Sequence, residues 1–204
     1  MKKILFIIAL AVSSTSFAQR SIWTFSYPIS FAVGEQADFI ANTSFRGFGI
    51  DGRSFITDNI SVGGSWSWEV FNEIKRDLPP TQVTIEDVDN VIGHISGTQY
   101  RYLNTMPLMV NGHFYLGENG SVRPYFGLSL GTSYVEERTD IGMVSLVTDK
   151  WRFAFQPEIG AFIPFGLSEG GANIAAKFRY STKAGEGTIP VSFFTLSVGL
   201  SVIK

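Results

Sequence analysis

The sequence has no cysteine, only two histidines and few charged residues, which make up 17% of the chain. Without cysteine, the protein cannot contain disulfides, thiolate metal sites or a thiol nucleophile. The net charge of −2 provides no basic footprint for nucleic acid, so no nucleic-acid partner is expected. Beyond residue 18 there is no apolar run of the roughly eighteen residues that a transmembrane helix requires.

The N-terminus has the pattern of a secretory signal. Lys2 and Lys3 precede an apolar segment, ILFIIALAV, and the small residues Ser16 and Ala18 flank Phe17 before Gln19. This apolar segment is too short to remain as a membrane-spanning helix, which disfavours the alternative of an N-terminal anchor. We therefore predict a signal peptide over residues 1–18, cleaved near Ala18, and a single domain over residues 19–204.

Alternating side chains dominate the remainder of the chain. In residues 123–134 (RPYFGLSLGTSY), bulky apolar residues such as Leu128 fall on one parity, whereas small residues such as Ser129 fall on the other. Successive side chains of a β-strand point to opposite faces, so this period of two predicts a strand with one apolar face. A helix is disfavoured because Pro124, Gly127 and Gly131 are poor in helix interiors.

Eight segments share this alternation, although it is weakest in the second. They cover residues 21–33, 43–55, 60–71, 98–116, 123–138, 150–165, 172–182 and 191–203. The connections alternate between short turns and longer loops, and residues 72–97 are expected to form the longest irregular segment. An even number of strands with this alternation predicts an all-β fold, an eight-stranded antiparallel transmembrane β-barrel with up-and-down meander topology.

Alternation alone does not determine which face is outside, because a soluble lipocalin-like barrel would place the apolar face inside. The apolar parity carries all four tryptophans, Trp23, Trp66, Trp68 and Trp151, together with many Phe and Tyr residues. An eight-stranded barrel is only wide enough for side chains to fill it, and these rings would overfill it. The opposite parity is mostly small, so we predict that the apolar face points into lipid.

Three stretches carry a family resemblance: RGFGIDGRSFITDNISVGGSW (residues 46–66), RPYFGLSLG (123–131) and FFTLSVGLSV (193–202). With the signal peptide and the eight segments, they resemble the small, porin-like outer-membrane β-barrels of the OmpX/OmpW-like type. The resemblance implies a place in the outer membrane of a Gram-negative bacterium, contact with outer-membrane lipid, and insertion by the barrel assembly machinery. One departure is the end of the chain at Lys204, since such barrels usually end on an aromatic residue. Recognition by the machinery must then rely on the alternating last strand, including Phe194.

The inward parity of the predicted barrel collects three acids and six bases. They are Asp51, Arg53, Glu69, Arg101, Arg123, Arg152, Glu158, Lys177 and Arg179. One interpretation is a path that favours anions; the other is a hydrogen-bonded ion network that plugs the lumen, since buried charges need partners. The narrow interior favours the plug, and the excess of bases predicts water or an anion among them.

Support for catalysis is thin. His94 lies near Glu86, Asp87 and Asp89, which raises the alternatives of a metal site or a hydrolytic base. No ligand spacing or nucleophile motif accompanies these residues, so a solvated acidic loop is the favoured interpretation. We expect no catalytic residue, no cofactor and no metal.

The function predicted from the sequence is therefore non-enzymatic: a structural or interaction protein of the outer membrane that displays loops outward, with a largely plugged lumen. An envelope or extracellular protein is the expected partner. The alternative is a narrow-path transporter of small or hydrophobic molecules. A third class is a lipid-modifying or proteolytic barrel enzyme.

Overall fold

The computed structural model describes residues 20–76, 81–85, 91–95, 97–166, 169–185 and 188–204. The predicted signal peptide lies outside these residues. The elements, in chain order, are β1 (Ser21–Ala32), α1 (Glu35–Phe39), β2 (Gly47–Phe55), β3 (Ile60–Lys75), β4 (Thr81–Ile85), β5 (Val91–Ile95), β6 (Gln99–Tyr115), β7 (Arg123–Ile141), β8 (Val144–Pro164), β9 (Gly170–Ser181) and β10 (Val191–Ile203). No helix among the described residues is long and apolar enough to span a membrane.

Eight of the strands close into a barrel in the order β1-β10-β9-β8-β7-β6-β3-β2. Every neighbouring pair is antiparallel, and the first strand closes the ring against the last, with Trp23 opposite Val202 and Phe31 opposite Phe194. The remaining strands, β4 and β5, pair with each other as a separate hairpin. The eight-stranded up-and-down barrel predicted from the alternation is confirmed.

The two ends of the barrel differ. The start of β1, the end of β10 and the connections after β2, β6 and β8 lie at one end, which we call the terminus end. At the opposite end, the loop end, lie α1 and the connections after β1, β3, β7 and β9. The helix α1 occupies a segment predicted to be a loop, and β2 begins at Gly47 rather than at residue 43.

The apolar parity faces outward. Leu128 is 50% exposed and Val110 is 71% exposed, whereas the neighbouring Ser129 is 1% exposed. The outward surface therefore consists of large apolar side chains and the inward surface of smaller and polar ones. This is the arrangement that a barrel in lipid requires, because only the apolar side chains meet hydrocarbon.

Two segments that were predicted to be loops contain β-strands. The segment 139–149 continues β7 and β8 as a hairpin whose tight turn contains Gly142, with a φ of 59°, and Met143. The segment 72–97 is not irregular throughout, because β3 continues to Lys75 opposite Gln99, and β4 and β5 form their own hairpin. In each case a neighbouring strand supplies backbone partners beyond the point where the apolar alternation stops. Pairing, rather than apolar alternation, decides how far these strands extend.

The interior also departs from the small-residue lumen that was predicted, because apolar side chains form a layer near each end. The terminus-end cluster consists of Ile22, Phe55, Tyr115, Tyr125, Phe162 and Ala175. The loop-end cluster consists of Ile40, Phe71, Leu103, Val135, Val191 and Phe193. Ile40 follows α1 directly, so the helix and its flanking loop cover the loop end. Charged residues occupy the space between the two layers.

The outward orientation of Leu128 has a direct test. Leu128→Arg places a charge on the apolar surface, and we expect it to destabilise the folded barrel by about 2–4 kcal/mol if the site lies near the bilayer midplane. Denaturant unfolding in lipid vesicles, followed by tryptophan fluorescence, measures the change. Leu128→Met is the matched control and should be nearly neutral. If Leu128→Arg unfolds at the same denaturant concentration as the wild type, the assignment of faces is wrong.

Candidate functional site

Arg53 occupies the centre of the lumen. It reaches from β2 with its Nε donating to Oδ1 of Asp51, two residues before it. Its Nη1 donates to the hydroxyl of Tyr115 at 2.8 Å, and its Nη2 donates to Oε1 of Glu158 at 3.3 Å. The guanidinium also lies over the ring of Tyr125, 4.9 Å from its centroid. All of these side chains are buried, so Arg53 joins opposite walls of the barrel through charge-assisted hydrogen bonds.

Glu158, on β8, gathers a second set of contacts. Nε2 of His113 donates to its Oε1 at 2.7 Å, and Nζ of Lys177 lies 3.5 Å from its Oε2. The residue opposite it on β7 is Gly127, where a Cβ would overlap His113. The glycine therefore makes the room in which His113 reaches Glu158.

Arg179 forms the next group of lumen contacts toward the loop end. Its Nη1 donates to Oε2 of Glu69 at 2.7 Å, and its Nε and Nη2 donate to Oε1 of Gln156 at 2.9 and 2.6 Å. The hydroxyl of Ser67 accepts a further bond from Nη2 at 3.1 Å. The guanidinium lies 5.1 Å from the ring centroid of Phe193, which places it directly against the loop-end cluster.

The nine predicted lumen residues do not form one network. Six of them share the central layer, where three acids match three bases: Asp51, Glu69 and Glu158 against Arg53, Lys177 and Arg179. Since the central charges are matched, the expected excess of bases there is absent. The other three bases, Arg101, Arg123 and Arg152, lie toward the two ends of the barrel.

Arg101 and Arg152 lie at the loop end. Arg152 is buried, and its Nη2 donates to Oε1 of Glu137 at 2.5 Å. Arg101 is half-buried, and its Nη1 donates to the backbone oxygen of Phe39 at 3.0 Å, with the guanidinium 5.1 Å from that ring. Arg152 also donates from Nη1 to the backbone oxygen of Ile189, so both arginines hold connections at the loop end.

Arg123 lies at the terminus end, at the first position of β7, and is 3% exposed. Its Nη1 donates to Oδ1 of Asn119 at 2.7 Å and its Nη2 to the backbone oxygen of Asp58 at 2.5 Å. The guanidinium lies 5.5 Å from the ring centroid of Phe55. Arg123 therefore joins the two neighbouring turns over the terminus-end cluster.

A small cavity lies in the central layer. It is bordered by Asp51, Glu69, Lys177 and Arg179 and has a volume of about 20 Å³. That is room for about one water molecule. The two apolar clusters lie on either side of the charged layer along the barrel axis.

The hairpin that extends from the loop end has its own ion pair, away from the lumen. Nε of Arg138 donates to Oδ1 of Asp140 at 2.9 Å, and the hydroxyl of Ser145 donates to the same oxygen at 2.6 Å. The hydrogen bonds from Arg138 and then from Ser145 hold the pKa of Asp140 below its ordinary value. Asp140 is therefore ionised at neutral pH and ties β7 to β8 close to the turn.

Solved structures of other proteins share this architecture. No family model and no curated protein matches the sequence. Among solved structures, Neisserial surface protein A (NspA) is similar with a TM-score of 0.55 at 11% identity, covering 90% of this chain and 96% of that one. Ail, the attachment invasion locus protein of Yersinia pestis, has a TM-score of 0.51 at 12% identity, covering 91% and 99%.

The outer membrane protein OprG from Pseudomonas aeruginosa is also similar, with a TM-score of 0.50 at 13% identity, covering 92% of this chain and 96% of that one. The chain has the fold of the small outer-membrane β-barrels. This agrees with the resemblance carried by the sequence, and at these identities it concerns the architecture alone. The lumen contacts of this barrel are accordingly interpreted from its own residues.

Several side chains that contact the lumen charges were not among the nine predicted lumen residues. Tyr115, Tyr125 and His113 lie on the inward parity and contact the central charges, and Glu137 is the partner of Arg152. Inward parity was a sufficient signal for the first three, since a buried polar ring needs a partner. Glu137 also lies on the inward parity of residues 123–138, but its contact with Arg152 depends on how β7 and β8 are aligned.

The disfavoured alternative of a metal or hydrolytic site around His94 stays untested. The backbone of His94 lies in β5 opposite Gln82, while Glu86, Asp87 and Asp89 fall outside the described residues. Within the described ranges, no group of three or more histidine, aspartate or glutamate side chains could hold a metal ion.

Glu158 offers the sharpest test of the central layer. Glu158→Gln removes the charge that faces Arg53 and Lys177 and turns an amide group toward them. Breaking one partner out of a buried ion pair costs about 3–5 kcal/mol, and we expect a loss of this size in the free energy of unfolding. Glu118→Gln, in an exposed turn, is the matched control and should change stability by less than about 0.5 kcal/mol. Equal unfolding midpoints for the two variants would refute the role of Glu158.

Proposed function

We propose that this protein is a non-enzymatic outer-membrane β-barrel of a Gram-negative bacterium that presents a sheet edge to a protein partner outside the cell. The connections at the terminus end are all short, whereas at the loop end those after β1, β3 and β9 are longer and β7 and β8 continue as a paired hairpin. Short periplasmic turns opposite longer extracellular segments are the usual pattern of outer-membrane barrels. We therefore place the loop end outside the cell. The barrel then serves as the membrane anchor.

The observation that carries the proposal is the unequal length of the strands. β7 and β8 remain paired up to Ile141 opposite Val144, and β6 accompanies β7 as far as Gln99. The pairing of β9 with β8 begins only at Ala154. In the described part of the chain, residues 144–152 of β8 thus have a strand on one side only.

The open side of β8 has the chemistry of a binding edge. Backbone groups of successive residues alternate between the two neighbours of an antiparallel strand, and the backbone oxygen of Phe153 faces β9, where it accepts from Thr182. By this alternation, the backbone groups of Trp151, Asp149 and Val147 face the open side. Such an edge is a template for an added strand.

Exposed apolar side chains surround this edge. Met143 at the tip is fully exposed, and Leu146 and Val147 are 40% and 53% exposed. An extended peptide segment of an extracellular or envelope protein, with apolar side chains at alternate positions, fits both the backbone and these side chains. This is the partner class that we propose.

The proposal takes the lumen to be filled. The narrow diameter of eight strands, the two apolar clusters and the small volume of the cavity in the central layer, about 20 Å³, support this part of it. The barrel therefore acts as a scaffold rather than as a pore.

A narrow-path transporter is the second candidate, and one observation favours it. The pairing of β1 with β2 ends at Ser26 opposite Gly49, apart from an isolated bridge between Ser30 and Ser44. The small cavity next to this gap borders both inward Asp51 and outward Ile50. A small or hydrophobic molecule would leave the lumen laterally at this point.

The edge is tested by photo-crosslinking in intact cells. A benzophenone amino acid in place of Val147 should give an adduct of defined mass with a protein partner, because this residue lies on the open edge. The same amino acid in place of Ser121, in a terminus-end turn, is the matched control. Absence of any adduct at Val147, or the same adduct at both positions, contradicts the proposed edge.

Conductance separates the two candidate functions. In planar bilayers, the purified barrel should show little current, since the charged layer and the two apolar clusters fill the lumen. Detergent alone and a porin of known conductance are the controls. Large unselective steps from the wild type contradict the filled lumen and favour the transporter.

A further inference from the structure

Two arginines converge at the mouth of the barrel on the terminus end. Arg123 points inward from the start of β7, and Arg20 immediately precedes β1. The Nη1 atoms of both donate to the same oxygen, Oδ1 of Asn119, each at 2.7 Å. A single neutral amide oxygen thus accepts from two positive groups.

Aromatic rings hold the two guanidinium groups at this mouth. Their Cζ atoms lie 5.9 Å (Arg20) and 5.5 Å (Arg123) from the ring centroid of Phe55. Arg123 lies in addition 5.0 Å from the centroid of Tyr115. Contacts of this kind orient a guanidinium over a ring face, so the two charges are directed by the terminus-end cluster rather than free to separate.

No carboxylate in the described part of the chain forms an ion pair with either guanidinium, and the charge of Asp58 acts on Arg123 only from a longer distance. Across residues 20–76, 81–85, 91–95, 97–166, 169–185 and 188–204, no carboxylate lies within 4.0 Å of either guanidinium. The acceptors of Arg123 are an amide oxygen and a backbone oxygen. Its Nε is buried and donates to nothing. Every other inward-facing arginine except Arg101 has a carboxylate partner.

We propose that the Arg20–Arg123 pair binds an oxyanion, a carboxylate or phosphate group that enters the barrel mouth from the aqueous side. Two like charges held together and partly desolvated favour a shared anion. Guanidinium groups match carboxylates and phosphates through paired N–H donors. Because Arg123 faces the lumen rather than the apolar surface, the anion comes from solution and not from surrounding lipid.

The test is a titration of the purified barrel in detergent micelles, followed by nuclear magnetic resonance. The probes are inorganic phosphate in one arm and acetate in the other, each exchanged for chloride at constant ionic strength. Resonances of Asn119 and the Arg123 side chain should shift with saturation in at least one arm. Saturation by phosphate alone assigns a phosphate group, and saturation by acetate alone assigns a carboxylate. Linear shifts in both arms overturn the proposal.

Two variants test whether the resonance shifts arise from binding at the Arg20–Arg123 pair. Arg20→Gln should weaken the affinity roughly tenfold or more, since a hydrogen bond to a charged group contributes about 1.5–3 kcal/mol. Arg20 lies before the first strand, and heat-modifiable gel migration checks that this variant still forms the barrel. Arg46→Gln, an exposed arginine at the loop end, is the matched control and should bind as the wild type does. Unchanged affinity in a folded Arg20→Gln barrel also overturns the proposal.

Discussion

Closure of β1 against β10 is the constraint on which the rest of the structure depends. Eleven residue pairs, from Ile22 opposite Ile203 to Ala32 opposite Phe193, join the ends of the chain. In lipid, an unpaired strand edge is too costly to maintain, so the ring must be complete. Closing eight strands in turn sets a diameter that side chains alone can fill. The matched central charges and the two apolar layers lie inside a ring of that diameter.

The interior combines two ways of filling a narrow space. Charged side chains occupy the middle, where Glu158 accepts a hydrogen bond from His113 and forms ion pairs with Arg53 and Lys177. Apolar side chains occupy both ends. A charged centre of this kind is costly to assemble and depends on complete pairing, which explains why three acids meet three bases there. The arginines without a carboxylate stand at the mouths, where water reaches them or connections cover them.

Much of this architecture was predictable from the sequence, because strand parity is a local property. The alternation around Leu128 assigned the faces, and parity directed Arg53, Glu158 and Arg179 inward. The partners were beyond prediction, since they depend on alignment between strands: Arg152 meets Glu137 only because β7 and β8 are paired as they are. The predicted lengths of these strands were wrong for the same reason. The polar residues after Arg138 stop the apolar alternation, yet they stay in the sheet because β6 and β8 pair with them.

One part of β8 belongs to the ring and another to the hairpin beyond it, and this division has an evolutionary consequence. The ring uses β8 from Ala154 onward, whereas the hairpin around Gly142 pairs only with its neighbours in the extended sheet. Residues removed or added in opposite pairs near that turn would change the reach of the sheet without altering the circumference of the ring. The hairpin at the loop end is therefore free to diversify in length and sequence while the ring of eight strands stays constant.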